Sequence, residues 1–315
     1  MNLRCALVAL FVVATPLFGQ VPQARALAAE GRYDEAKRLL MPLNNDPEAL
    51  RLLSRIAMAY ANDEEAANLC RKAIELQPLS ADYHYCAGNA LRSAVQHASI
   101  FRQPALSKET REELIRAIEL DPNHLAARFA LLEYYVYAPA FAGGSEEKAL
   151  QQAAEIRKRD VATGHRAYAR IYSRQKKPDL ARKEFIDGVR EDPKSPRAHT
   201  ALATFYATEE KNFKATFEEL ETAIRLDPDY MPAWFRLGHA ASLSGMNLTR
   251  GEEALRKYAA YRPKDNEPTT AAASYYLGVI FEKEGKKNEA RQSYASALKL
   301  NPGSKELQEA MKRVR

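Results

Sequence analysis

Residues 271–302 read AAASYYLGVIFEKEGKKNEARQSYASALKLNP, and their apolar pattern decides the fold. Tyr276, Leu277, Val279, Ile280 and Phe281 form one helical run, in which Leu277 shares a face with Ile280 and Phe281. Gly278 sits inside that run, where glycine costs about 1 kcal/mol against alanine. A small residue there lets a second helix approach closely. Residues 284–288, EGKKN, read as a turn. The second helix then buries a stripe of Ala290, Tyr294, Ala297 and Leu298. Asn301-Pro302 stops it, because the residue before a proline avoids the helical region.

Much of the chain repeats this unit imperfectly. Terminating prolines stand at Pro47, Pro78, Pro122, Pro193, Pro228, Pro263 and Pro302, at spacings of 31, 44, 71, 35, 35 and 39 residues. The longest interval spans two units, with no proline near Asp160-Val161. Small residues mark the first helices at Gly88, Ala169, Ala203, Gly238 and Gly278, with Leu132 as the exception. Eight units are expected, the first two with degraded first helices. Residues 234–238, WFRLG, carry a large residue, then Leu-Gly, at the spacing of a W-x2-L-G pattern. Together with the A-x3-F-like and terminal Pro positions, the unit resembles a tetratricopeptide repeat. The resemblance implies an all-α, right-handed superhelical solenoid over residues 20–302, closed by a polar capping helix at 303–315.

The first residues read differently. Arg4 is followed by an uncharged, mostly apolar run from Cys5 to Phe18, too short for a spanning helix of about twenty residues. It fits the apolar core of a secretory signal peptide covering 1–19, with an uncleaved anchor as the alternative. Loss of Arg4 would leave 46 of the 47 basic residues against 41 acidic ones, a net charge of +5. That balance does not demand an anionic partner. The expected location is periplasmic or secreted, with no stable membrane insertion after cleavage. Cys70 lies in a second helix and Cys86 in the first helix of the next unit. An exported chain permits a disulfide between them, and two buried thiols remain the alternative.

No sequence pattern of a hydrolase, a zinc protease, a phosphate-binding loop or a redox pair is present. No enzyme activity, cofactor or metal is expected. His84, His165 and His199 stand where another unit has Trp234, as substitutes for a large packing residue. The basic stretch from Arg157 to Lys183 reads as a solvated helix surface, and no nucleic-acid partner is expected.

In tetratricopeptide proteins the first helices line a concave groove. Three residues before each small marker, or before Leu132, the inner slot reads Tyr85, Phe129, Arg166, Thr200, Phe235 and Tyr275. One residue after it stand Asn89, Glu133, Arg170, Thr204, His239 and Val279. The aromatics offer either a stacking surface or ordinary packing between tightly wound units. Arg166 and Arg170, one turn apart, would meet a carboxylate. Two units carry extra residues, around 96–105 and 138–144, which should emerge side by side on one edge. Phe101 and Phe141 are the candidate apolar contacts there, and Gly143-Gly144 suits a turn before Ser145, a helix N-cap. The implied function is a non-enzymatic scaffold binding a peptide or partner protein in its groove. The alternative is a small-ligand or glycan receptor at the loop edge.

Overall fold

The computed structural model describes residues 19–264 and 267–314. The signal-peptide reading of residues 1–18 therefore lies outside the described residues. Within them the chain is all helical and contains no strand. Seventeen α-helices follow one another: α1 (Gln20–Glu30), α2 (Tyr33–Leu40), α3 (Pro47–Ala59), α4 (Asp63–Leu76), α5 (Ala81–His97), α6 (Gln103–Leu120), α7 (Leu125–Tyr137) and α8 (Glu146–Arg157). The second half comprises α9 (Val161–Arg174), α10 (Pro178–Glu191), α11 (Pro196–Phe205), α12 (Phe213–Leu226), α13 (Met231–Ser244), α14 (Leu248–Ala259), α15 (Thr270–Lys283), α16 (Lys287–Leu300) and α17 (Lys305–Arg313).

The helices pack as eight consecutive hairpins, α1 with α2 through α15 with α16, and α17 covers the last one. The cap buries Leu307, Ala310 and Val314 against the core of the final hairpins. Odd-numbered helices touch the next odd-numbered helix from α1 through α15, besides touching their even neighbours. They therefore form the crowded inner wall of a solenoid, with the even helices outside.

The unit of residues 271–302 shows why a hairpin forms. Thr269 caps α15 by accepting from the Ala272 amide, and Gly285, at φ +75°, turns the chain toward α16. A Cβ placed on Gly278 would lie 2.5 Å from the ring of Tyr294, whose side chain is fully buried. Glycine is thus the condition for α15 and α16 to meet at that distance. Ala290, Tyr294 and Ala297 are buried as the stripe requires, whereas Leu298 is only partly so.

A second device joins one hairpin to the next. The carbonyl of a linker proline accepts a hydrogen bond from a side chain six residues later, on the following helix. His84 Nε2 donates to Pro78 O at 3.0 Å, Arg128 Nε to Pro122 O at 2.8 Å and His199 Nε2 to Pro193 O at 3.1 Å. Trp234 Nε1 reaches Pro228 O at 2.9 Å and Gln308 Nε2 reaches Pro302 O at 3.0 Å. The histidines in the tryptophan position are therefore more than space fillers. Each of the two bonded to a proline also faces a carboxylate with its other nitrogen, His84 that of Glu113 and His199 that of Glu219. His165 lacks the proline and meets Glu184 and Glu191 instead.

The solenoid completes a turn, and its ends meet. Thr270 Oγ1 donates to Glu30 O at 3.0 Å across 240 residues of sequence. A Cβ on Gly31 would lie 2.8 Å from Ala271 Cβ, so α1 abuts α15 closely. Cys70 of α4 and Cys86 of α5 form a disulfide with Cα atoms 5.7 Å apart, a bond of the kind that persists in oxidising compartments.

Gly278→Leu should lower unfolding stability by about 1–3 kcal/mol, because the new side chain must displace the Tyr294 ring. Urea denaturation checks this, and an unchanged midpoint would mean that the two helices are not held at this separation.

The Glu219 hydrogen bond, opposed by burial and aided by the Pro193 carbonyl, raises the pKa of His199 above its ordinary 6.5. The resulting stabilisation is complete below the unfolded pKa and is lost as pH rises through the folded one. The stability gap between wild type and His199→Gln should therefore narrow as pH rises above the ordinary histidine pKa of about 6.5. A gap that widens with pH would contradict the pairing.

Candidate functional site

The inner wall carries two adjoining depressions, both open to solvent. The first is a basin of about 580 Å³ built from α9, α11 and α13, with Phe129 of α7 at its margin. Four arginines line it, Arg166, Arg170, Arg197 and Arg236, against one carboxylate, Glu209. Hydroxyl-bearing Thr163, Ser173, Thr200, Thr204, Thr208 and Tyr230 also line it, together with apolar residues that include Phe185, Phe205 and Pro232.

The arginines differ in what they already hold. Arg170 Nη2 pairs with Glu133 at 3.1 Å and Arg197 Nη1 with Asp160 at 2.9 Å. Arg166 stacks over Phe129, its guanidinium carbon 4.3 Å from the ring centre. Neither Arg166 nor Arg236 forms an ion pair with a carboxylate of the described residues, and both side chains are exposed. Partial desolvation by the surrounding helices lowers the pKa of Arg166; Glu133 opposes this, and the charges of Arg170 and Arg197 add to it. Arginine stays cationic regardless, so the crowding remains as uncompensated positive potential. Thr200 is 7 % exposed, and its hydroxyl has no hydrogen-bond partner among the described residues. A buried hydroxyl left unpaired costs free energy, which an oxygen-bearing ligand would recover.

The remaining inner-slot residues divide between packing and surface. Phe235, expected in the groove, is 5 % exposed and packs on Tyr258 and Tyr276, with ring centres 5.0 and 5.8 Å away. It is core, because neighbouring first helices lie too close on the concave side to leave a large ring free. Tyr85 is partly buried and lies 4.9 Å from the ring of His124, while Tyr275 contacts Tyr276 and Tyr294. Four aromatics therefore do not make a stacking strip, and Phe129 alone of them borders the basin. His239 rests 4.4 Å from Tyr276, and burial, then the charge of Arg236, lowers its pKa and favours the neutral ring. Asn89 accepts from Arg92 at 2.9 Å.

The second depression, about 610 Å³, lies at the loop edge between α5–α6 and α7–α8. Val95, Ile100, Pro104, Tyr134, Tyr137, Pro139 and Phe141 give it an apolar lining, with Arg92 and Glu133 at its inner end. The two inserts thus share one edge. The first is not a ten-residue loop: α5 runs to His97 and α6 starts at Gln103, so only residues 98–102 connect them. The extra residues continue the helices, since Gln96 and His97 do not interrupt one and Pro104 suits a helix start.

Phe101 and Phe141 do not bury one another; they are 91 % and 89 % exposed. Phe141 lines the groove, with Ile100 at 74 % exposure, whereas Phe101 points to solvent outside it. Gly143 and Gly144 shape the loop. Gly143 has φ +93°, and a side chain on Gly144 would collide with the Ala138 carbonyl. Tyr134 donates to Ala142 O, and Ser145 caps α8 by accepting from the Lys148 amide. Much of the basic stretch 157–183 is neutralised locally, as by Glu155 beneath Lys158 and Arg159 and by Asp187 beneath Lys183.

Residues 271–304 match the tetratricopeptide repeat family. A segment of 102 residues, 31 % of this chain, is 34 % identical to mouse interferon-induced protein with tetratricopeptide repeats 2, and spans 21 % of that protein. Among solved structures, the APC/C hetero-tetramer Cut9–Hcn1 is similar over 94 % of this chain and 55 % of its own, at 13 % identity and a TM-score of 0.47. A tetratricopeptide repeat protein from Parabacteroides merdae is similar over 85 % and 98 %, at 15 % identity and 0.44. A monomeric IFIT1 mutant with Gppp-AAAA is similar over 90 % and 68 %, at 17 % identity and 0.49.

Proposed function

For a chain that carries a tetratricopeptide repeat at residues 271–304, we propose a non-enzymatic protein–protein interaction scaffold that takes an acidic segment of a partner protein in its concave basin. The observation that carries this reading is the pair Arg166 and Arg236. Both are exposed in one depression and lack a carboxylate among the described residues, beside Arg170 and Arg197. Guanidinium groups present planar donors to carboxylates, and a concave, arginine-lined surface raises the local concentration of an anionic partner. The Thr204 and Thr208 hydroxyls, which already donate to the Thr200 and Thr204 carbonyls, can accept from a backbone N–H of the segment. Openness of both depressions also suits an extended segment better than an enclosed small molecule.

The test is fluorescence anisotropy of the full chain with a labelled oligo-aspartate peptide, its uncharged oligo-asparagine counterpart and a single-stranded oligonucleotide of equal charge. The acidic peptide should bind, more weakly as salt rises, and Arg166→Glu with Arg236→Glu should weaken it at least about tenfold. Equal binding of the uncharged peptide would contradict the reading. So would tighter binding of the oligonucleotide, which would make the basin a polyanion site for nucleic acid.

A further inference from the structure

The cationic basin and the apolar loop-edge groove are neighbours with one residue between them. Glu133, 15 % exposed on α7, accepts Arg170 of the basin at 3.1 Å and Arg92 of the groove at 3.3 Å. One turn further along α7, Tyr137 lines the groove and lies under Arg174 of α9, 5.6 Å from ring centre to guanidinium carbon. The inner faces of α5, α7 and α9 thus form one surface that runs from apolar to cationic across Glu133 and the two arginines bonded to it.

The groove is unsatisfied in its own way. Ile100 and Phe141, both in its lining, stay 74 % and 89 % exposed on the short connections of the two inserts. An apolar pair held in water at the mouth of a groove of this size marks a place where another apolar group is covered. Nothing in the chain's packing requires these side chains. The turn is fixed instead by Gly143, Gly144, the Tyr134 bond to Ala142 O and the Ser145 cap.

Resting on the basin reading above, we propose that the partner segment is bipartite. Its acidic residues occupy the basin of Arg166, Arg197, Arg236 and Thr200, and a large apolar side chain, aromatic or leucine-like, enters the loop-edge groove. Charge complementarity assigns the acidic half, since Arg166 and Arg236 of the basin lack an ion pair among the described residues while Arg170 and Arg197 are held by Glu133 and Asp160. Continuity through Glu133 assigns the apolar half to the same chain. The stretch passing over Glu133 is uncharged, because an acid there would face that carboxylate. Neighbouring inner helices pack about 10 Å apart, so the two sites are separated by roughly two such steps, about 20 Å. An extended chain covers about 3.3 Å per residue, which places the anchors about six residues apart.

The test uses the full chain and labelled synthetic peptides. One joins an aspartate cluster to a Phe-Leu pair through about six Gly-Ser residues, in either order; the others are the acidic half alone, the apolar half alone, and both halves without the spacer. In its better order the spaced peptide should bind at least about tenfold tighter than the acidic half, and the unspaced one no tighter than that half. Ile100→Ser with Phe141→Ser, both at exposed positions, should reduce the spaced peptide to the affinity of the acidic half and leave the acidic half unchanged. Equal affinities of the spaced peptide and the acidic half would overturn the bipartite reading and leave the basin standing. Failure of both to bind would overturn the basin itself. Binding of the apolar half as tightly as the spaced peptide would make the groove an independent apolar-ligand site and overturn the link between the two.

Discussion

The carbonyl of the linker proline, held by a side chain six residues later, ties the linker to the following helix at five junctions of the solenoid. Where a proline follows a second helix, its carbonyl lies between two packed hairpins, and an unpaired acceptor there would be costly. His84, Arg128, His199, Trp234 and Gln308 supply the donor in chemically different ways to the same geometric end. What the position selects is therefore an N–H at the right reach rather than a residue type. Because the donor is on the first helix of the next unit, the bond ties the linker to that helix. The stacked hairpins bring α1 round to α15, where Thr270 meets Glu30.

The same curvature sorts the inner surface. First helices crowd one another on the concave side, so a large ring there is driven into contact with its neighbours, as Phe235 is with Tyr258 and Tyr276. Arginine cannot follow, because desolvating an unpaired guanidinium costs far more than burying a ring returns. The wall therefore loses its aromatic character and keeps its charge. Glu133 shows the compensating case. Two arginines from the flanking inner helices converge on it and neutralise its carboxylate between the basin and the groove.

Local regularities were legible in the sequence. The helix pattern, the turns and the tight contact at Gly278 all follow from side-chain spacing within about thirty residues. Three features were not, for physical reasons. The lengthening of α5 and α6 was hidden because residues 96–105 contain no strong helix breaker before Pro104, and extra length reads equally as loop or helix. The burial of Phe235 depends on how tightly successive units wind, which no single unit encodes. The meeting of α1 with α15 joins residues 240 apart, and it sums small rotations over all the hairpins. The proline tie had a usable signal, a donor side chain six residues beyond a terminating proline. By size alone the histidines pass for space-filling substitutes for tryptophan, which masks that signal. For the site, Arg166 and Arg170 were visible as a pair, but Arg197 and Arg236 were not. They join the basin only through the packing of α11 and α13 beside α9.

The most direct test of the account is site-specific photo-crosslinking in the native cell. A photoreactive amino acid would replace Thr204, which lines the basin, and separately Lys214, exposed on the second helix α12. The account predicts adducts from Thr204 alone, with mass spectrometry placing the crosslink in an acidic segment of a protein. Adducts from Lys214 alone, or Thr204 adducts removed by nuclease, would contradict it.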